Sequence, residues 1–277
     1  MTTHVEKALL FRSLHVAGRP LLLSNAWDAA SARIVEAAGA SAIATTSAGV
    51  AWSLGAPDGD RLDRRLALDV VARVADAVDV PVSADIEAGY ADDTDGVAQT
   101  VRAVLDARAV GVNLEDAHHG GPTPLRPLQE QAARISAARR AADESGIPLF
   151  INARIDTYLR SVGEPAVRLD ETLARAAAYV EAGADGVFVP GLTDLSTIAT
   201  LVEKAAVPVN VLAGPGAPDV AALAEQGVAR ISLGSSVAEA AYAVARWAAL
   251  ELLDSGTYTT LTNALDYSEV NELLANT

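Results

Sequence analysis

Short β-branched and aliphatic runs alternate with longer alanine-rich stretches along the whole chain. The runs predict strands at 21–25 (LLLSN), 41–46 (SAIATT), 81–86 (PVSADI) and 110–115 (VGVNLE), then at 148–154 (PLFINAR), 186–190 (GVFVP), 207–212 (VPVNVL) and 229–233 (ARISL). Between them, segments such as 64–78 (RRLALDVVARVADAV) and 170–182 (DETLARAAAYVEA) carry apolar residues at the three-and-four spacing of a helix face. Gly39, Gly183 and Gly227 stand where three of these helices hand over to the next strand, the usual place for a left-handed residue.

Strands that alternate with helices predict a parallel sheet covered by crossover helices. Eight such units predict a closed α/β barrel of the (β/α)8 TIM type rather than an open doubly wound sheet. No dinucleotide fingerprint follows the first strand, where Ser24-Asn25-Ala26-Trp27-Asp28 stands instead. All of residues 1–277 read as one domain. Helical patterns at 236–254 and 266–275 exceed what a barrel needs, so 236–277 is expected to be a helical extension used in a homo-oligomer, a dimer or a tetramer.

Composition narrows the function. Hydrophobic residues make up 51% of the chain but aromatics only 4%, so the core must come from Ala, Val, Leu and Ile. A formal charge of −15 argues against nucleic acid as a partner. Cys is absent, which removes disulfides, thiolate nucleophiles and Cys-ligated zinc. The opening MTTHVEKALLFRSLHVAGRP has no signal pattern and no apolar run is long enough to span a bilayer, so the expectation is a cytoplasmic protein without membrane contact. The only lysines are Lys7 and Lys204, neither at a strand end, which argues against a Schiff-base aldolase.

Active sites of such barrels sit at the C-terminal ends of the strands. Asp85 and Glu87 end the third predicted strand, and two-residue alternation would aim both to the same side. Glu115 and Asp116 end the fourth, and Asn152, Arg154 and Asp156 the fifth. Four acids and an arginine on three neighbouring strands would repel one another without a cation, which points to a hard divalent ion beside an anionic substrate. Asp85 is the direct ligand in this reading, with Glu87 and Glu115 acting partly through water. Arg154 would grip a substrate carboxylate with its fork, or be fixed by Glu115 or Asp116. Thr45, Thr46 and Ser47 open a loop, Ser-Ala-Gly-Val-Ala-Trp (47–52), whose amides could hold an oxyanion or carboxylate, with Thr46, Ser47, Ala48 and Gly49 as the substrate-side candidates there. Asn25, Trp27, Asn152 and Asn210 complete the substrate-side candidates, Asp58 on the loop after the second strand reaches inward, and His118 or His119 could supply an acid from the loop after the fourth.

Thr-Thr-Ser-Ala-Gly (45–49), Asp58, Asp85-Ile-Glu87, Asn113-Leu-Glu115-Asp116 and Asn152-Ala-Arg154 together resemble the isocitrate lyase and phosphoenolpyruvate mutase superfamily over nearly the whole barrel. The resemblance implies a barrel that uses Mg2+, or Mn2+ in its place, to stabilise the enolate of a pyruvate-like 2-oxoacid. It implies Asp85 as main metal ligand, Glu87 and Glu115 holding its waters, Asp58 near the reacting group, Ser47 and Gly49 on the substrate and Arg154 on its carboxylate. It also implies a tetramer with an exchanged last helix. The loop after the fourth strand, Ala117-His-His-Gly-Gly-Pro-Thr-Pro-Leu125, departs from the family: it has neither the lyase Lys-Lys-Cys-Gly-His motif nor the mutase loop motif. The expected activity is therefore a Mg2+-dependent C–C lyase or decarboxylase acting on a small 2-oxo- or 2-hydroxy-dicarboxylate. His118, His119, Tyr158 or water would protonate the enolate. The alternatives are P–C chemistry on phosphonopyruvate, with Arg126 as the cation near the phosphonyl group, and a non-catalytic metabolite-binding barrel.

Overall fold

The structure, a computed structural model, describes residues 2–275; Met1 and the last two residues of the expected C-terminal extension lie outside them. Eight parallel strands form the barrel: β1 (Leu21–Leu23), β2 (Ile43–Ala44), β3 (Val82–Asp85), β4 (Gly111–Glu115), β5 (Phe150–Arg154), β6 (Gly186–Phe188), β7 (Val209–Leu212) and β8 (Arg230–Ser232). Continuous ladders run from β2 through β3 to β8 and on to β1. Between β1 and β2 there is no ladder; one parallel bridge, Ala26 to Thr45, closes the barrel, with Ala26 N–H donating to Ala44 O at 2.8 Å and Thr46 N–H to Ala26 O at 3.0 Å.

All eight expected strands are present, each shorter than its apolar run; β4, β5 and β7 are trimmed only at their N-terminal ends, whereas β1, β2, β3, β6 and β8 end early at the C-terminal rim. Two local expectations are corrected there. Residues 47–52 are not a loop but belong to helix α3 (Ser47–Ser53), which begins as soon as Thr46, still extended at φ −119°, leaves the sheet. Glycine at 49 is what lets α3 sit close: a Cβ there would come within 2.8 Å of Thr46 Cγ2 and Trp27 Cβ. Glu87 likewise does not continue the alternation from Asp85. The strand ends at Asp85, and Glu87 adopts φ +49°, a left-handed conformation rarely tolerated by a residue with a side chain.

The core is built from aliphatic side chains as composition required, with Val112, Leu114, Ile151, Val187 and Val211 buried between the strands and their covering helices. Helix α1 (His4–Ser13) closes the N-terminal end, where Phe11 packs on Phe150, Leu21, Leu23 and Val110. Phe11 comes so near β4 that a Cβ at Gly111 would lie 2.6 Å from its ring. The catalytic rim is thus at the other end. Beyond β8, α10 (Ser236–Ser255) buries only Ala238 and exposes Trp247, Leu250 and Leu253, while α11 (Tyr267–Ala275) lies on α2 (Ala29–Ala37), tied by Arg33 Nε donating to Leu273 O at 2.9 Å. Among the described residues no helix is long and apolar enough to cross a membrane.

Candidate active site

A cleft of about 190 Å3 opens at the C-terminal rim, and residues at or just beyond the ends of all eight strands line it. Asn25, Thr46, Ser47, Ala48, Asp58, Asp85, Asn113 and Arg154 supply its polar lining on one side, and Leu159, Phe188, Pro190 and Leu212 its apolar one. This is smaller than the roughly 300–1,000 Å3 of a drug-sized ligand site and suits a compact acid.

Asp85 stands at its centre. Its Oδ2 accepts from Ser47 N–H at 3.2 Å and its own N–H is held by Thr45 Oγ1 at 2.9 Å, but Oδ1 is buried without a partner. Burial, with Glu115 and Asp58 adding repulsion against the pull of Arg154, pushes its carboxyl up to about 6. Glu87 turns away from the cleft to accept from Asp60 N–H, and leaves Oε1 buried and partnerless; burial and the nearby Asp58, Asp60 and Asp85 push it up to about 8. Burial would raise Glu115 too, but Arg154 Nη1 at 2.6 Å and His119 Nε2 at 2.7 Å outweigh it and hold that carboxyl below its ordinary value. His119 is held above its ordinary value chiefly by that hydrogen bond.

Arg154 is braced from below. Nε and Nη2 donate to the two oxygens of the fully buried Asp156 at 2.7 and 3.0 Å, and Nη1 takes Glu115, so the fork reaches the cleft with a fixed orientation. The brace has its own support. Asp156 N–H donates to Asp116 Oδ1 at 2.9 Å, and Asp116 Oδ2 accepts from Arg175 Nη1 at 3.1 Å and Tyr179 OH at 2.9 Å, both from α7 (Arg168–Glu181). Asp116 therefore pairs with Arg175, and Arg154 with Glu115 and Asp156.

The structure brings Asp58, Asp85, Arg154, Thr46, Ser47, Ala48 and Asn25 to one cleft. Asn25 is committed structurally, its Oδ1 accepting from Leu233 and Gly234 N–H and its Nδ2 donating to Thr45 O. Asn152 and Asn210 form a hydrogen-bonded floor under the cleft. Gly49 lies within α3, close against Trp27, and neither lines the cleft. Tyr158 stacks under Arg168, 5.6 Å from its guanidinium, and His118 lies on its own loop with Nδ1 buried and unpartnered; neither lines the cleft. His119 faces a neighbouring recess of about 400 Å3 that it shares with Asp60, Arg61, Arg64, Tyr90 and Arg126. Asp60 and Tyr90 escaped the sequence reading although both flank quoted motifs, in Asp58-Gly-Asp60 and directly after Gly89. The Arg175–Tyr179 pair was signalled only by its four-residue spacing on a helix face.

Among the described residues, no three His, Asp or Glu side chains are gathered to ligate one ion together. The donor set nonetheless fits a small hard cation that keeps most of its water. Asp85 offers an uncompensated oxygen within the cleft, and Glu87 a second behind it, both in a setting that penalises their charge.

The phosphoenolpyruvate phosphomutase family matches the chain over residues 11–253. An uncharacterized Mycobacterium tuberculosis protein is 42% identical over 226 residues, 81% of each chain. The 2-methylisocitrate lyase of Salmonella typhimurium is 32% identical over 205 residues, 72% of this chain and 67% of that one. A Burkholderia cenocepacia crystal structure, provisionally described as a lyase/mutase, superposes with a TM-score of 0.91 at 38% identity, covering 98% of this chain and 96% of the other.

Proposed function

Because the chain belongs to the isocitrate lyase/phosphoenolpyruvate mutase superfamily, we propose that it is a Mg2+-dependent lyase cleaving a C–C bond of a small 2-oxo- or 2-hydroxy-dicarboxylate. Those of its relatives that have a stated activity, such as 2-methylisocitrate lyase and oxaloacetate decarboxylase, act on small carboxylates. The observation that carries the proposal is Asp85: a buried carboxylate oxygen with no partner, facing a small cleft across from a fixed arginine fork.

Asp85 would hold the ion directly; Glu87, behind it with Oε1 free, and Glu115, already bound to Arg154 and His119, would reach it only through its waters. When bound, Mg2+ supplies positive charge against which the negative charge of a departing enolate develops. Arg154 spends three of its five N–H groups on Asp156 and Glu115, which leaves two for the substrate carboxylate in a direction set by the brace. Holding that carboxylate fixes the scissile bond relative to Asp58. Decarboxylation needs no base, whereas retro-aldol cleavage does, and Asp58 is the carboxylate in the cleft that is placed to take the hydroxyl proton. Since His118, His119 and Tyr158 lie outside the cleft lining, enolate protonation is assigned to water. The apolar wall of Leu159, Phe188, Pro190 and Leu212 accepts the carbon skeleton.

Phosphonyl chemistry would call for a second cation in the cleft, and Arg126 lines the neighbouring recess instead, paired with Glu130 at 2.6 Å. The test is pyruvate release with Mg2+ across oxaloacetate, alkylmalates, methylisocitrate and phosphonopyruvate, with EDTA and Asp85→Ala as controls and phosphate followed in parallel. Metal-dependent pyruvate without phosphate supports the C–C lyase. Pyruvate with phosphate, from phosphonopyruvate alone, overturns it.

A further inference from the structure

One buried arginine takes no part in the site described so far. Arg230 on β8 is 1% exposed, yet its Nε and Nη1 have no hydrogen-bond partner. It lies over the Phe11 ring, 5.8 Å from its centroid, beneath the asparagine floor of the cleft. Its one side-chain hydrogen bond is Nη2 donating to Asn113 Oδ1 at 3.3 Å. An unpaired buried guanidinium is costly, and an apolar side chain of similar length would serve the barrel core better. The fold alone gives no reason for it.

The reason lies in what Arg230 does to Asn113. The same Oδ1 also accepts from Asn152 Nδ2 at 2.8 Å, and Asn152 is fixed in turn by donating to Asn210 Oδ1 at 3.1 Å. An amide oxygen has two lone pairs, and here both are taken. The other end of the amide is thereby determined. Asn113 Nδ2 makes no hydrogen bond among the described residues, and Asn113 lines the cleft beside Asp85 and Arg154. Turning the amide over would set its NH2 against two donors, one of them cationic. In a cleft that already holds the carboxylates of Asp58 and Asp85, an oriented donor is what an incoming anion requires.

Resting on the function proposed above, we infer that Asn113 is a substrate-contacting residue that donates its amide N–H to an anionic carboxylate or enolate oxygen of the bound acid, and that Arg230 is the positioning residue that keeps the amide turned that way. Arg230 touches no reacting atom; it acts through Asn113.

Oxalate, a planar dianion shaped like an enolised 2-oxoacid, is the probe. Its Kd with Mg2+ is measured calorimetrically on the full chain for the parent, Asn113→Ala, Arg230→Met, Arg230→Lys and the Asn113→Ala/Arg230→Met double variant. Each of Asn113→Ala and Arg230→Met should raise Kd about tenfold, the value of one hydrogen bond. Arg230→Lys keeps a donor towards Oδ1 and should recover most of the loss. The double variant should bind no worse than Asn113→Ala, because Arg230 has nothing to position once the amide is gone. The melting temperature of Arg230→Met should stay close to the parent's, since the charge it removes has no ion pair and only the more distant attraction of Asp85 to offset its burial. Additive effects in the double variant, an unchanged Kd in Asn113→Ala, or an unchanged Kd in folded Arg230→Met would each overturn the inference. If Arg230→Met does not fold, Arg230→Gln takes its place with the same expectation. A parent that fails to bind oxalate with Mg2+ would overturn the proposed function and this inference together, whereas parent binding with unaffected variants overturns the inference alone.

Discussion

Asp85→Asn removes one negative charge and leaves the shape of the side chain almost unchanged. The amide oxygen can still accept from Ser47 N–H, and the amide NH2 takes the position of the partnerless Oδ1, near the Asp58 carboxylate. The aspartate, by contrast, costs the fold. Its carboxyl is lifted from 3.8 to about 6 by burial and by Glu115 and Asp58. As pH rises from 3.8 towards 6, the unfolded chain gives up this proton while the folded one keeps it, so stability falls across that window and is level above it. A shift of about 2 units at roughly 1.4 kcal/mol each amounts to about 3 kcal/mol at pH 8, and about half of that at pH 5. In EDTA, Asp85→Asn should therefore be more stable than the parent by up to about 3 kcal/mol at pH 8, with the gap about halved at pH 5. Urea denaturation at the two pH values reads it directly. Added Mg2+ should then stabilise the parent and not the variant, which should also be inactive. A variant no more stable than the parent at pH 8, or a gap that does not shrink at pH 5, would refute the argument that this carboxylate is uncompensated.

Arg154→Lys keeps the charge but loses the two-pronged contact with Asp156, and should lower kcat/KM about 100-fold while the protein still folds, about 3 kcal/mol in charge-assisted bonds and orientation. Arg154→Ala should instead lose about 3–5 kcal/mol of stability, because Glu115 and the fully buried Asp156 are left without their cation; chemical denaturation separates the two variants. Arg175→Met removes the partner of buried Asp116 and should destabilise by a similar 3–5 kcal/mol, again by denaturation, although Arg175 lies outside the cleft. Leu253→Glu on the exposed face of α10, where Leu253 is 81% exposed, should reduce the molecular mass measured by light scattering if that face joins copies of the chain; an unchanged mass would exclude the contact.

The barrel was legible because its strands, β1 with its exposed Leu22 excepted, are buried on both faces and most of its covering helices are amphipathic. Asp85 and Arg154 could be placed at the cleft because a polar residue ending an apolar strand run has few structural reasons to be there, and Asp58 because it stands on the loop after the second strand. What failed were inferences that extended strand geometry beyond the strand. Strand alternation puts Glu87 on the same face as Asp85, but its left-handed backbone turns it to Asp60 instead. Residues 47–52 looked like a turn because Ser, Ala and Gly are weak signals for either state, and packing on Trp27 decided for helix. The support of Arg154 was hidden for a different reason. Asp116 lies 59 and 63 residues before Arg175 and Tyr179 in the chain, and only the β4–β5–α7 neighbourhood makes them one network.

The single bridge between β1 and β2 has a mechanical consequence. Everywhere else around the barrel a ladder spreads the load, but at this joint two backbone bonds and the Asn25 side chain, which laces β1 to the end of β2 and to the turn after β8, carry it. Amides at this seam are the ones from which the barrel would begin to open, and they should exchange with deuterium earliest among the strands. Thr46 and Ser47, which line the cleft, hang from the same joint. An acid seated against them would act as a clasp on the loosest stave of the barrel, so that occupancy of the cleft is written into the lifetime of the closed wall.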